Sequence, residues 1–184
     1  MPEHSRNVKL WDDLRAPASA INPPGAVSDP DIDTTIGGLL FAASGTEIVY
    51  LQMQFPHTWA EETYIVPHVH WQKTTSAAGD VMWQLEYRWA PINEVMDAAW
   101  TTLTASNAVD GTTDTDEANK HLITSFGRVE TAGKQVSDML IIRLARLGDD
   151  AGDTYGADAR LLEFDIHYQV NSLGSDYEFV KERD

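Results

Sequence analysis

Cysteine is absent from this chain of 184 residues, which excludes disulfides, zinc-thiolate centres and thiol catalysis. Its absence fits a reducing cytoplasm, and equally a particle released outside the cell, where a free thiol is a liability. Positive charge is scarce: 13 Lys and Arg stand against 29 Asp and Glu, for a formal net charge of −16. Both halves of the chain are acidic, which argues against general binding to nucleic-acid phosphates and against docking on an anionic membrane. No apolar run approaches the ~18 residues of a membrane-spanning helix. The first residues, MPEHSRNVKLWDD, carry acids in place of a signal-peptide core, so a soluble chain made in a cytoplasm is expected. Nucleotide and acyl-transfer motifs are missing as well. The run from Gly127 to Gln135 is one residue too long for a P-loop and ends on glutamine where a hydroxyl would hold magnesium. There is no Gly-x-Ser-x-Gly elbow.

What remains is an ordinary globular composition, 42% hydrophobic and 23% charged, which excludes disorder throughout. Pro2, Pro17, Pro23, Pro24 and Pro30 place five of the eight prolines in the first 36 residues. Proline fixes φ and removes a donor, so residues 1–36 are expected to form an extended N-terminal arm. Trp11, Leu14 and Ile21 would anchor it to its own domain or to a neighbouring subunit. Residues 37–184 form the expected single β-sandwich domain.

The sandwich follows from alternation. Val81, Trp83, Leu85, Tyr87 and Trp89 are apolar, with Gln84, Glu86 and Arg88 between them, a period of two with one buried and one wet face. Leu162, Phe164, Ile166, Tyr168 and Val170 alternate with Glu163, Asp165, His167 and Gln169. Val49, Leu51, Met53 and Phe55 mark another core face. Ile65, Val69 and Trp71 oppose Tyr64, His68, His70 and Gln72. Further strands are expected at 39–43, 100–106, 120–128 and 139–147, the last apolar on both faces and therefore central. Residues 91–98 and 114–119 read as single helical turns. No helical segment of ~10–15 residues separates the strands, so the expectation is all-β: an antiparallel two-sheet sandwich, jelly-roll-like.

Pro67-His68-Val69-His70-Trp71 puts two imidazoles on one strand face, ~6.5–7 Å apart at Cα, a spacing that suits two ligands of one divalent metal. His167 on another strand is the expected third. A jelly roll with His-x-His resembles the cupins, but Gln72-Lys73-Thr74-Thr75 stands where that pattern has a glutamate. Pro67 predicts an edge or bulged strand. The acidic runs 110–117 and 149–158 offer oxygen ligands to calcium without EF-hand spacing. Glu163, Asp165 and Glu86 are the carboxylates available for sugar chemistry. Of the six tryptophans, Trp71, Trp83 and Trp89 fall on core faces. Trp11, Trp59 and Trp100 are left for a neighbouring subunit or for stacking on a sugar.

The runs Trp11-Asp-Asp-Leu-Arg15, Ala43 to Tyr50, Pro67 to Trp71, Leu85 to Ala90, Asp153 to Ala159, Leu162 to Tyr168 and Leu173 to Ser175 resemble a family of tailed-bacteriophage and prophage proteins. That resemblance implies a virion component and carries no catalytic residues or cofactor. The function expected from it is a non-enzymatic homotrimeric decoration or cement protein on the outer surface of the head. Its partners would be itself and the major capsid protein or another virion protein, with no nucleic acid and no membrane. Trp11, Leu14, Ile21, Trp59, His68 and His70 are the expected subunit or lattice contacts. The alternatives are a cupin-like metalloenzyme using His68, His70 and His167, and a carbohydrate-binding module of a head or tail fibre.

Overall fold

The computed structural model describes residues 10–21, 23, 25, 29–106 and 117–181. Residues 1–9 of the arm and most of the first acidic run, 110–116, lie outside these. The described residues contain β1 (Leu10–Pro17), β2 (Asp31–Asp33), β3 (Gly38–Phe41), β4 (Thr46–Gln54) and β5 (Val66–Lys73). They continue with β6 (Met82–Ala90), β7 (Thr101–Ser106), β8 (Leu122–Ser125), β9 (Met139–Leu147) and β10 (Ala159–Val170). One sheet has the order β2-β3-β10-β5-β8, with β1 also paired to β10; the other has the order β4-β9-β6-β7. All pairings are antiparallel. From β3 onward the chain passes repeatedly between the sheets, so β3, β5, β8 and β10 face β4, β6, β7 and β9. This is the expected two-sheet sandwich with a jelly-roll-like weave.

Alternation supplies the core. Trp83 and Leu85 are fully buried on β6, Val49, Leu51 and Met53 on β4, and Val69 and Trp71 on β5. Rings fill the space between the sheets: Trp83 meets Phe41 at 5.2 Å and Trp71 at 6.1 Å between centroids, and Phe55 sits between Trp59 and Trp89. β9 is central between β4 and β6, as its two apolar faces require.

The described arm residues run extended on their own domain, and four other expectations are corrected. Residues 10–17 of the arm are a strand hydrogen-bonded along β10, from Leu10 opposite Val170 to Pro17 opposite Glu163. Ile21 is buried and Trp59 completely so, because the 56–60 loop docks on β10 through a Trp59–Val170 bridge and drives the indole inward; neither side chain can make a subunit contact. β5 is an interior strand. The Pro67 carbonyl accepts from Phe126 N–H just past the end of β8, so the proline nitrogen faces that same side and interrupts no bond to β10. Residues 91–98 make turns, with Ile92 N–H donated to Asp138. Finally, the β10 register shifts between Leu161 and Glu163, so Leu161 joins Phe164, Ile166 and Tyr168 in the core while Leu162 turns outward.

One buried cation ties the two sheets together. Arg146 of β9 is fully buried and uses all five of its N–H donors. Two go to Asp153, at 2.9 and 2.7 Å. The others reach the carbonyls of Phe41, Ala157 and Tyr155. Replacing Arg146 with Met strands a carboxylate that is itself buried, so urea unfolding should show a loss of about 3–5 kcal/mol. The double replacement Arg146→Met/Asp153→Leu should recover part of that loss. Equal losses in the single and double variants would contradict the pairing.

Candidate functional site

The outer face of the β1-β10-β5-β8 sheet is where polar side chains collect. Register places Arg15 opposite Asp165, Asp165 opposite His68, and His68 opposite Ser125. The neighbouring row runs Glu163, His70, Ile123, and the row on the other side pairs Asp13 with His167. The β10 bulge makes this possible. An extra residue inserted into one strand shifts the phase of everything after it, so Glu163, Asp165 and His167 face outward together while Phe164 and Ile166 stay in the core. The residues surround a pocket of about 650 Å³, with His121 at the entry to β8 completing its wall.

Asp165 is the centre of the pocket. Its side chain is 5% exposed. Oδ2 lies 3.1 Å from His70 Nε2, and Oδ1 is in close contact with His68 Nε2. The two Nε2 atoms are 3.1 Å apart. On the far side of each ring, His68 Nδ1 donates to the Val66 carbonyl at 3.3 Å, and His70 Nδ1 lies 2.7 Å from His121 Nε2.

The charges are arranged in pairs. Burial opposes ionisation of Asp165, but hydrogen bonding to His68 and His70 outweighs it and holds the carboxyl at about 2. Burial also opposes a charge on His68, and Asp165 outweighs it, so that imidazole is pushed up from 6.5. Burial and the adjacent His70 push His121 down. Arg15 grips Glu163 with two parallel bonds, Nη2 to Oε2 at 2.8 Å and Nε to Oε1. That leaves Asp165 as the carboxylate facing the two imidazoles.

Sequence reasoning brought His68 and His70 to this face correctly, but the third partner is Asp165. His167 turns its Nε2 to Asp13 at 3.1 Å and meets His68 only ring to ring. Among the described residues, His68, His70 and Asp165 are the group of three metal-ligating side chains whose ligand atoms lie within 4.8 Å of one another. Asp165 was visible on the alternation; the cross-strand register that sets it opposite His68 was not. The carboxylates of the second acidic run are committed elsewhere: Asp149 accepts from Gly45 N–H, Asp150 from Gly152 N–H, and Asp153 holds Arg146. Glu86 pairs with Arg143 on the other sheet and shares no cleft with Glu163. Trp100 stacks with the Arg88 and Arg143 guanidiniums, and Trp59 is buried. Trp11 remains exposed at 41%, tilted against Tyr64.

Fold and site define a jelly-roll-like β-sandwich with a histidine- and carboxylate-lined pocket on the outer face of one sheet. No protein-family model matches this sequence, and no curated protein does. Among solved structures, the chain is similar to dimeric latent PorU from Porphyromonas gingivalis, with TM-score 0.38 and 11% identity over 89% of this chain and 13% of that one. It is similar to the CBM22-1–GH10 modules of Clostridium thermocellum xylanase 10B complexed with xylohexaose, with TM-score 0.37 and 11% identity over 91% of this chain and 27% of that one. The Eiger TNF of S. frugiperda matches with TM-score 0.28 and 13% identity over 90% of each chain. The chain thus spans only a small part of the first two proteins.

The His68–Asp165 pair sets a pH signature for protein stripped of metal with chelator. A carboxyl depressed from 3.8 to about 2 contributes stability above its ordinary value and loses it as pH falls toward 2. An imidazole raised above 6.5 contributes fully below 6.5 and loses its contribution as pH rises through the folded value. Both limbs describe one ion pair, so they are not summed. Thermal or urea unfolding across pH should show the pair's stabilisation greatest between about pH 4 and 6.5. The acid limb should be about 2 kcal/mol deep. Asp165→Asn should lack both limbs; an unchanged profile in that variant would contradict the assignment.

Proposed function

We propose that the chain is a non-enzymatic structural protein of a tailed-bacteriophage particle, a homotrimer that decorates or cements the outer surface of the head. The observation that carries this reading is the placement of the runs resembling phage proteins. Trp11 to Arg15, Leu162 to Tyr168 and Pro67 to Trp71 fall on β1, β10 and β5, three strands that are neighbours in one sheet. The runs that carry the resemblance include outward residues, Asp13, Arg15, His68 and His70, which core packing does not demand.

Physical features support the same reading. A chain of net charge −16 is repelled by packaged DNA and suits the outside of a shell. Apolar side chains remain uncovered on the edges of the first sheet: Leu10 at 57% and Trp11 on β1, and Ile32 at 63% on β2. Residues of this kind are where an acidic subunit finds contact area with its own copies or with a lattice protein. Leu14 on β1, half-buried, packs against the chain's own core. A particle subunit of this kind is made in the host cytoplasm and ends in the virion.

Light scattering on the full chain at micromolar concentration should give the mass of a trimer, and Trp11→Ala should shift the distribution toward monomer. Mixing with undecorated capsids should give saturable, stoichiometric binding. A monomer throughout, or capsids that take up none, would overturn the decoration reading.

A further inference from the structure

We infer that His68 Nε2, His70 Nε2 and a carboxylate oxygen of Asp165 form a binding site for one divalent first-row transition ion, with the open coordination positions directed into the pocket. Whether or not the chain sits on a particle, these residues are placed to hold the ion.

Geometry is the first support. Ligand atoms ~2.1 Å from one ion and at right angles about it lie ~3 Å apart. The separations between His68 Nε2 and His70 Nε2 and between His70 Nε2 and Asp165 Oδ2 are both 3.1 Å. The third edge, His68 Nε2 to Asp165 Oδ1, is a close contact. Two of the three edges match one triangular face of a coordination shell, and an ion at its centre would open the third. The remaining positions face a cavity of about 650 Å³, which admits water or a small exogenous ligand.

The direction of the ring hydrogens is the second. The Val66 carbonyl can only accept, so His68 Nδ1 donates to it, and an ion that displaces the Nε2 proton would meet a lone pair aimed toward Asp165 and His70. His70 Nδ1 lies 2.7 Å from His121 Nε2, a contact that fixes the ring with Nε2 turned to Asp165 and His68. Metal-bound histidines are held by such a donation from the ring's other nitrogen. With an ion in place of the Nε2 protons, two imidazole nitrogens and a carboxylate converge on one point.

Burial is the third. Asp165 is 5% exposed, and its carboxylate is met by the His68 and His70 imidazoles at Nε2. A buried carboxylate needs a compensating cation, and an ion held by the same two imidazoles supplies it whatever their protonation. Arg15 does not serve, because both of its forked bonds go to Glu163. A site of two imidazoles and one carboxylate selects zinc, cobalt or nickel over magnesium and calcium, which prefer an all-oxygen shell.

The test is calorimetric titration of the full chain, stripped with chelator, against zinc, cobalt, magnesium and calcium chlorides. One zinc or cobalt ion should bind per chain, and magnesium and calcium should bind at least ~100-fold more weakly. His70→Ala and Asp165→Asn should each weaken zinc by more than ~100-fold, and His121→Ala by ~10–100-fold as the residue that orients His70. His167→Ala should stay within about threefold of the parent. His70 is only half-buried, so its variant is the one expected to keep the fold; circular dichroism checks this, and the visible spectrum of bound cobalt reports the loss of a nitrogen ligand directly. Occupancy below about a tenth of an ion per chain at saturating zinc would overturn the site. So would unchanged affinity in folded His70→Ala, or a loss in His167→Ala as large as that in His70→Ala.

Discussion

A carboxylate held out of water on an interior strand is the constraint around which this face of the protein is organised. Asp165 sits on β10, which pairs with β3 and β1 along one edge and with β5 along the other, and its side chain is almost wholly covered. A charge there is tolerated only with compensation on every side. The sequence supplies it from both flanking strands: Arg15 neutralises the neighbouring Glu163, and the β5 imidazoles close over Asp165 itself. The β10 bulge is the mechanical condition for this arrangement. Without the shift at Leu161–Glu163, the parity that buries Leu161 would carry Glu163, Asp165 and His167 into a core filled with indole and phenyl rings.

That core explains why the chemistry lies outside the sandwich and not within it. Phe41, Trp71, Trp83, Phe55 and Trp89 pack across the space between the sheets. Of the buried cations there, Arg146 is locked by five donated bonds. The imidazoles project from the opposite face, where β1 adds a wall that a bare eight-strand sandwich would lack.

How far the sequence could be read follows from which interactions are local. Alternation over 81–89, 47–55 and 162–170 reflects the two-residue pleat, so strand type, core faces and the central position of β9 were legible. β1 was not, because Trp11-Asp-Asp-Leu-Arg15 has adjacent acids and ends at Pro17; it is a strand through its ladder with β10, a contact made across more than 140 residues of chain. Trp59 escaped for a related reason, since its burial comes from a single bridge to Val170 and no periodicity marks it. The pocket was half legible. Alternation placed His68, His70, Asp165 and His167 on polar faces, but only the register, Asp165 opposite His68 and His167 opposite Asp13, decides which of them meet.

The central claim is that the His68–His70–Asp165 face is a built cation site. Anomalous X-ray scattering from crystals grown with zinc, collected on both sides of the zinc edge, tests it most directly. The account predicts one strong anomalous peak per chain within bonding distance of His68 Nε2, His70 Nε2 and an Asp165 oxygen, about 2.0–2.2 Å from each. Zinc bound only at other surface carboxylates or histidines, with this pocket empty, would contradict it.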